Sequence, residues 1–202
     1  MKIMVLMPVH KSMNTSCVIS LVDFVQDLHQ SGHKAKMVFV NGFNAARARL
    51  ALSKYVATSG KGYDYVIWLD SDHVYKKSDL LKLMKRMKKA NLKMLSACYK
   101  LHGHPDTVHG ITDSKKVFRH FRDDELKKKL IDCQVVGFGF LLMKRTYLKK
   151  LWDKYGNKLF VMDAKENCTE DVRFCKCVLD EGDRVVFDPT VKVGHVETAI
   201  RY

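Results

Sequence analysis

No apolar run in this 202-residue chain is long enough to cross a bilayer as a helix. The apolar N-terminus, Met1-Lys2-Ile3-Met4-Val5-Leu6-Met7-Pro8-Val9, is short and lacks a small-residue cleavage site. It reads as a first strand, not as a signal peptide. With no targeting segment and no transmembrane segment, the expected location is the cytoplasm. CxxC pairs are also missing. Cys17, Cys98, Cys133, Cys168, Cys175 and Cys177 are scattered, unlike the disulfide framework of a short secreted chain. Cys175 and Cys177 stand too close together for a zinc knuckle. Thiols in a reducing compartment are expected. Repeats, low-complexity tracts and an interdomain linker are absent, so a single domain over residues 1–202 is expected.

Acidic residues are scarce relative to basic ones: 22 Asp and Glu face 36 Lys and Arg, a formal net charge of +14. Nucleic acid, an anionic membrane surface or a phosphate-bearing substrate could each use that charge. The lysines are spread out, however. Lys82, Lys85, Arg86, Lys88, Lys89 and Lys93 alternate with Leu80, Leu81, Leu83, Met84 and Met87, as on the solvated face of an amphipathic helix. No basic cluster is interleaved with aromatics, and no helix-turn-helix or zinc-finger signature occurs. Nucleic acid is therefore not an expected partner. A basic nucleic-acid-binding or metal-dependent nuclease domain stays as the alternative from another class.

What the chain does have is a globular balance, 47% hydrophobic and 29% charged, and alternating strand and helix patterns that predict an α/β fold. Residues 2–9 predict a buried strand. A helix over 16–31 follows, ended by Gly32, then a strand over 36–40 and an Ala- and Leu-rich helix over 45–56. Tyr63 to Leu69 carries the strongest strand signal. Ser78 is a candidate N-cap for a helix to about Ala90. Residues 92–99 predict a strand and 100–116 a loop. Asp123-Asp124-Glu125 and Lys127-Lys128-Lys129 predict a helix with charges matched to its dipole. Residues 135–143 form an apolar segment broken by Gly137 and Gly139. Helices over 146–155 and 170–180, a strand over 184–188 stopped by Pro189, and an extended piece over 191–196 complete the chain.

The strand ending at Leu69 runs directly into Asp70-Ser71-Asp72-His73. Open α/β sheets bind ligands beyond the carboxyl ends of their strands. Residues two apart in extended chain project to one side, and two carboxylates aimed at one point repel unless a cation or proton lies between them. Hard oxygen ligands suit Mg²⁺ or Mn²⁺, which commonly bridge to phosphates. The same tripeptide also suits a turn or a helix start; its place after a buried strand favours the metal reading.

Four segments, in order, resemble the GT-A fold glycosyltransferases, especially the inverting family 2-like enzymes. They are Pro8-Val9-His10-Lys11 after the first strand, Ala46-Arg47-Ala48-Arg49 at a helix start, Tyr65 to Asp72 as strand plus DxD, and Thr169-Glu170-Asp171-Val172-Arg173-Phe174-Cys175. A closing segment from Asp188-Pro189 to Gly194-His195 is similar as well. The chain's size is like that of small transferase domains of large algal viruses and phages, which would place it in a host cytoplasm.

The resemblance implies a single Rossmann-like mixed sheet flanked by helices, with a nucleotide-binding half over 1–99 and an acceptor-side half over 100–202. It implies a nucleotide-sugar donor, first of all a UDP-sugar, bound through Pro8, Val9, His10, Arg47, Arg49, Asp70 and Ser71. It implies Mn²⁺ or Mg²⁺ on Asp70, Asp72 and His195, and Asp171 as the general base acting on a glycan or glycoprotein acceptor. Some positions keep two readings. The family's Ala-Arg-Asn lacks its Asn here, so either Arg47 or Arg49 faces the diphosphate. Glu170 and Asp171 also suit a helix N-terminus capped by Thr169, His195 a surface histidine, and Gly137-Phe138-Gly139-Phe140 either an acceptor-side segment or a bulged strand. His102, His104 and His109 read as a polar loop with no assigned role. A sugar-nucleotide nucleotidyltransferase would need a glycine-rich loop after the first strand, where this chain has Val9-His10-Lys11-Ser12-Met13-Asn14.

Overall fold

A computed structural model describes residues 1–101, 104–114, 117–126, 129–163 and 168–196. In chain order the elements are β1 (Lys2–Val9), α1 (Thr15–Gln30), β2 (Lys34–Asn41), α2 (Ala45–Ser59), β3 (Tyr65–Leu69), β4 (His73–Val74), α3 (Lys77–Lys89), β5 (Met94–Cys98), β6 (Lys100–Leu101), β7 (His104–Ser114), β8 (Val117–Arg122), β9 (Ile131–Asp132), β10 (Phe140–Lys144), α4 (Arg145–Tyr155), α5 (Glu170–Asp180), β11 (Val186–Lys192) and β12 (Gly194–His195). Seven strands make one sheet in the order β2-β1-β3-β10-β5-β11-β9. β1 pairs in parallel with β2 and β3, and β11 with β5, whereas β10 runs antiparallel between β3 and β5. The sheet is therefore mixed, as expected.

Strand period decides the layers, because successive side chains face opposite ways. From β1, Ile3, Val5, Met7 and Val9 pack with α1 and α3 through Leu21, Phe24, Leu28, Leu83 and Met87. Met4 and Leu6 face the other way, joining Leu52 and Val56 of α2, Leu148 and Leu151 of α4 and Phe174 of α5. Each face thus holds its own apolar core, and burial of each large side chain contributes roughly 1.5–3 kcal/mol. On the second face, Trp68, Phe138, Phe160 and Phe174 meet with centroids 5.0–6.1 Å apart, edge-on except for the stacked Phe160 and Phe174.

Several elements differ from expectation for identifiable reasons. Ser78 lies inside α3, whose N-cap is Lys76, in extended conformation and accepting from the Asp79 N–H. Buried Tyr75 fixes the chain just before it, so the helix starts at once. The expected loop over 100–116 instead contributes β6 and β7, which pair with β8 as a separate three-stranded sheet. Gly110 falls where the β7–β8 register shifts between Val108 and Ile111. Asp123–Glu125 makes only one 3₁₀ turn. Its carboxylates are drawn to the strands, Asp123 to Lys100 and Glu125 to Arg119 and the Arg122 N–H, so no helix propagates. Pro189 does not stop β11. The pairing with β5 jumps from Asp188↔Ala97 to Lys192↔Cys98, leaving the proline in an irregularity where no N–H is needed. His102 and part of the Lys127-Lys128-Lys129 run lie outside the described residues, and His104 falls on β7. Among the described residues no helix is long and apolar enough to cross a membrane.

Candidate active site

The site lies beyond the carboxyl end of the interior strand β3, where β4 and β12 form a small sheet of their own. β3 ends at Leu69, and the Asp70 N–H donates to the Gly139 carbonyl just before β10. The Asp70 carbonyl accepts from the Tyr75 hydroxyl, so the turn after β3 is held from the α1–α3 side as well. After Asp72 the chain forms β4, against which β12 pairs antiparallel, with His195 opposite His73. The Val196 N–H donates to the Asp72 carbonyl at 2.7 Å. That pairing carries His195 across 123 residues of sequence to the acidic turn.

Asp72 receives two imidazoles. His73 Nδ1 is 2.8 Å from its Oδ1 and His195 Nε2 is 3.2 Å from its Oδ2. The two rings stack with centroids 4.4 Å apart and 9° between planes, and Tyr99 meets His73 edge-on. Partial burial alone would raise the Asp72 pKa. Hydrogen bonds from His195 and His73, reinforced by their charge, win and hold it well below the usual carboxylate range. The bond to Asp72 in turn raises the His195 pKa, against burial, with help from the Lys100 carbonyl.

The donor chemistry of this cluster fits a divalent cation. His195 Nδ1 lies 2.9 Å from the Lys100 carbonyl, which can only accept, so Nδ1 carries the proton. In the neutral ring, Nε2 is then a lone pair facing a carboxylate oxygen. Two acceptors at that separation call for a proton or a cation between them. One atom each from Asp72, His73 and His195 lie within 4.8 Å of one another. Oxygen with imidazole nitrogen is a donor set for Mn²⁺ more than for Ca²⁺. His73 Nε2 is buried without a hydrogen-bond partner.

Beside the cluster lies an open cleft of about 200 Å³ lined by Pro8, His10, Phe43, Ala45, Arg49, Asp70, Ser71 and Asp72. His10 Nδ1 lies 3.2 Å from the Phe43 carbonyl, tying the end of β1 to the chain after β2. Val9, predicted to bind donor, turns its side chain into the α1–α3 core instead, as alternation with Pro8 requires. Arg47 is exposed on α2. Arg49 is buried, and its guanidinium binds Asp70 Oδ1 at 2.9 Å and Glu170 Oε1 at 2.5 Å while lying over the Phe138 ring. Both charged edges of Arg49 are thus engaged by protein carboxylates. Asp171, next to Glu170 at the start of α5, accepts from the Thr169 hydroxyl and from the Val172 N–H at 2.9 Å. Thr169 occupies the N-cap position without a side-chain capping bond, its hydroxyl being used on Asp171.

His73 and Glu170 carry no site role in the sequence pattern, which also leaves Arg47 and Arg49 as equals. Only one signal was available for His73, a histidine directly following the acidic pair. Gly139 is explained by close approach: a Cβ there would stand 2.8 Å from His73 Nε2 and 2.9 Å from Tyr99 Cζ. The segment around it is irregular up to Phe140, where β10 starts.

The family model for glycosyl transferase family 2 matches residues 16–152, well over half of the chain. The chain belongs to glycosyl transferase family 2. It is a glycosyltransferase with the GT-A fold. No curated protein sequence matches it. Among solved structures, A197 from STIV superposes with TM-score 0.62 at 18% identity, over 100% of this chain and 97% of that one. GalNAc-T7 with UDP, GalNAc and Mn²⁺ superposes with TM-score 0.66 at 13% identity, over 97% of this chain but 43% of the other. At such identities the likeness carries the fold. In this family 2 transferase the matched region runs from within α1 into α4, and so takes in the acidic turn, Arg49 and Gly139. Asp171 and His195 lie beyond it.

Proposed function

We propose that this family 2 enzyme transfers a sugar from a nucleoside-diphosphate sugar, first of all a UDP-sugar, to a hydroxyl of a glycan or glycoprotein acceptor with inversion at the anomeric carbon. The observation that carries the reading is the convergence of Asp72, His73 and His195 beside a cleft that also holds Asp70, Ser71 and His10. The structure of GalNAc-T7 with UDP and Mn²⁺ supports the choice of donor and metal by analogy of fold.

Asp72 and His195, with Asp70 nearby, would hold Mn²⁺ or Mg²⁺. When bound, such an ion stabilises negative charge on a departing diphosphate. Pro8, His10 and Ser71 line the place for the nucleoside. Arg49 fixes the Asp70 carboxylate and, through Glu170, the start of α5. Asp171 sits there as general base, taking the proton from the acceptor hydroxyl as its oxygen attacks the anomeric carbon. In this scheme residues 1–99 bind donor, residues 100–202 face the acceptor, and the enzyme works in the cytoplasm, a host's if the chain is viral.

A panel of nucleotide-sugars assayed with Mn²⁺ and with EDTA tests the donor and metal. The expectation is metal-dependent binding and slow hydrolysis of a UDP- or GDP-sugar. No donor bound or turned over in a metal-dependent way would overturn the reading. Asp171→Asn is expected to keep donor binding and lose transfer by about 100-fold or more; transfer at the normal rate would remove Asp171 as the base.

A further inference from the structure

Helices α1 and α3 lie side by side on one face of the sheet. Phe24 packs near Tyr75, whose ring centroid is 6.3 Å away, and Lys77 reaches Ser31 Oγ at 3.0 Å and Asp27 at 4.0 Å. Their inward surfaces are the buried apolar residues already described. Their outward surfaces are unlike each other and complementary. α1 turns Thr15, Val18, Ile19, Val22 and Gln26 to solvent, a stripe without charge, in which Ile19 and Val22 are more than half exposed. At one hundred degrees per residue these positions cluster opposite Cys17, Leu21, Phe24 and Leu28.

α3 turns out Leu81, Lys82, Lys85, Lys88 and Lys89, with Arg86 directed away toward Asp188. Among the described residues no carboxylate pairs with Lys85, Lys88 or Lys89, and Lys82 has only Asp79 at 3.9 Å. The acidic groups on this face are Asp23 and Asp27 of α1, the second already near Lys77. A surface of exposed branched aliphatics beside a row of lysines, three of them without a carboxylate partner among the described residues, has the two parts that peripheral membrane contact uses. Apolar side chains enter the headgroup boundary, and each lysine gains attraction from anionic lipid.

We propose that the α1–α3 face docks the enzyme on an anionic bilayer. The lysines of α3 supply the attraction, and Val18, Ile19 and Val22 of α1 with Leu81 of α3 supply the inserted apolar contact. Charge complementarity selects this occupant over a second copy of the chain, since two lysine-rich α3 faces would repel. The α1 end of the face is close to the catalytic edge, because the Asn14 N–H at the helix N-cap lies 3.5 Å from the Ser71 carbonyl.

The test is co-sedimentation of the whole chain with vesicles of phosphatidylcholine alone and of phosphatidylcholine with phosphatidylserine, across a salt series. Binding is expected to the anionic vesicles only and to fall with salt. Each of Lys82→Gln, Lys85→Gln, Lys88→Gln and Lys89→Gln should weaken partitioning about fivefold. The Ile19→Gln/Val22→Gln variant should weaken it with little change in salt slope. A triple change of Lys149, Lys150 and Lys154 to Gln on α4, across the sheet, should leave it unaltered; those lysines pair with Asp153 and Glu181. All changes are at exposed positions except the half-buried Lys149, and thermal melts report folding. Absence of binding to anionic vesicles at low salt would overturn the proposal. So would equal loss in the α4 variant, or tighter, α3-dependent binding to a DNA duplex. Concentration-dependent dimerisation abolished by Ile19→Gln/Val22→Gln would assign the face to a second copy instead.

Discussion

At the scale of single residues, Arg49 has the most demanding position. It is the buried cation between the carboxylates of Asp70 and Glu170, and its guanidinium lies over the Phe138 ring. Removing one partner of a buried charge set leaves the others uncompensated. Arg49→Met is therefore expected to lower unfolding stability by about 3–5 kcal/mol, read from the urea midpoint. Arg49→Lys keeps the charge but cannot span both carboxylates with one planar fork. It should retain more stability than Arg49→Met while lowering kcat more than it raises KM, because Asp70 and α5 lose their common tie. Stability unchanged in Arg49→Met would remove this account of the bridge. Gly139 offers a second check. A Cβ at that position cannot coexist with the present His73 and Tyr99 rings. Gly139→Ala should displace His73 and weaken Mn²⁺ binding, measured by isothermal titration, by about 10-fold or more. Unaltered Mn²⁺ affinity would mean that His73 does not orient the proposed metal site.

Between elements, Glu181 closes α5 and binds α4. It accepts from Lys150 at 2.6 Å, from Lys154, and from the Tyr155 hydroxyl at 3.1 Å. Hydrogen bonds from Lys150 and Lys154 bring its pKa down from 4.5 to about 2, against burial. A carboxylate whose pKa is depressed on folding adds stability above its unfolded pKa and loses it as pH falls toward the folded value. The melting-temperature gap between the parent and Glu181→Gln should therefore be open at neutral pH and close between pH 4.5 and about 2. A gap independent of pH would show that the contact works by shape and not by charge. The same scale explains where the sequence was legible. α5 was read to the residue, since Thr169, the apolar spacing and Gly182 are all local signals. β6 and β7 were missed because their partner β8 supplies the pairing, and β-propensity is decided largely by such context.

For the whole molecule, one sheet separates two apolar cores. Leu52 of α2 lies in one and Leu83 of α3 in the other, both fully buried. Each Leu→Ala change should cost about 2–5 kcal/mol. Because the sheet belongs to both cores, the double variant should unfold in one transition. Its loss should equal the sum of the singles within about 0.5 kcal/mol, as for distant sites. Two resolved transitions in chemical denaturation would contradict the shared-sheet view.

The sequence by itself determined the α/β alternation, the buried β1 and β3, the acidic turn at the end of β3, and the glycosyltransferase resemblance, because all of these are written in short stretches of neighbouring residues. It also placed Asp72 and His195 as candidates. The tertiary structure alone decided which groups meet. Antiparallel pairing of β12 with β4 brings His195 to Asp72, the ring of His73 completes the cluster, and α2 packs so that Arg49, not Arg47, reaches Asp70 and Glu170. Strand order and helix rotation fix these meetings. Both are settled by long-range burial on two faces of a sheet, where each residue's direction depends on partners far away in the chain.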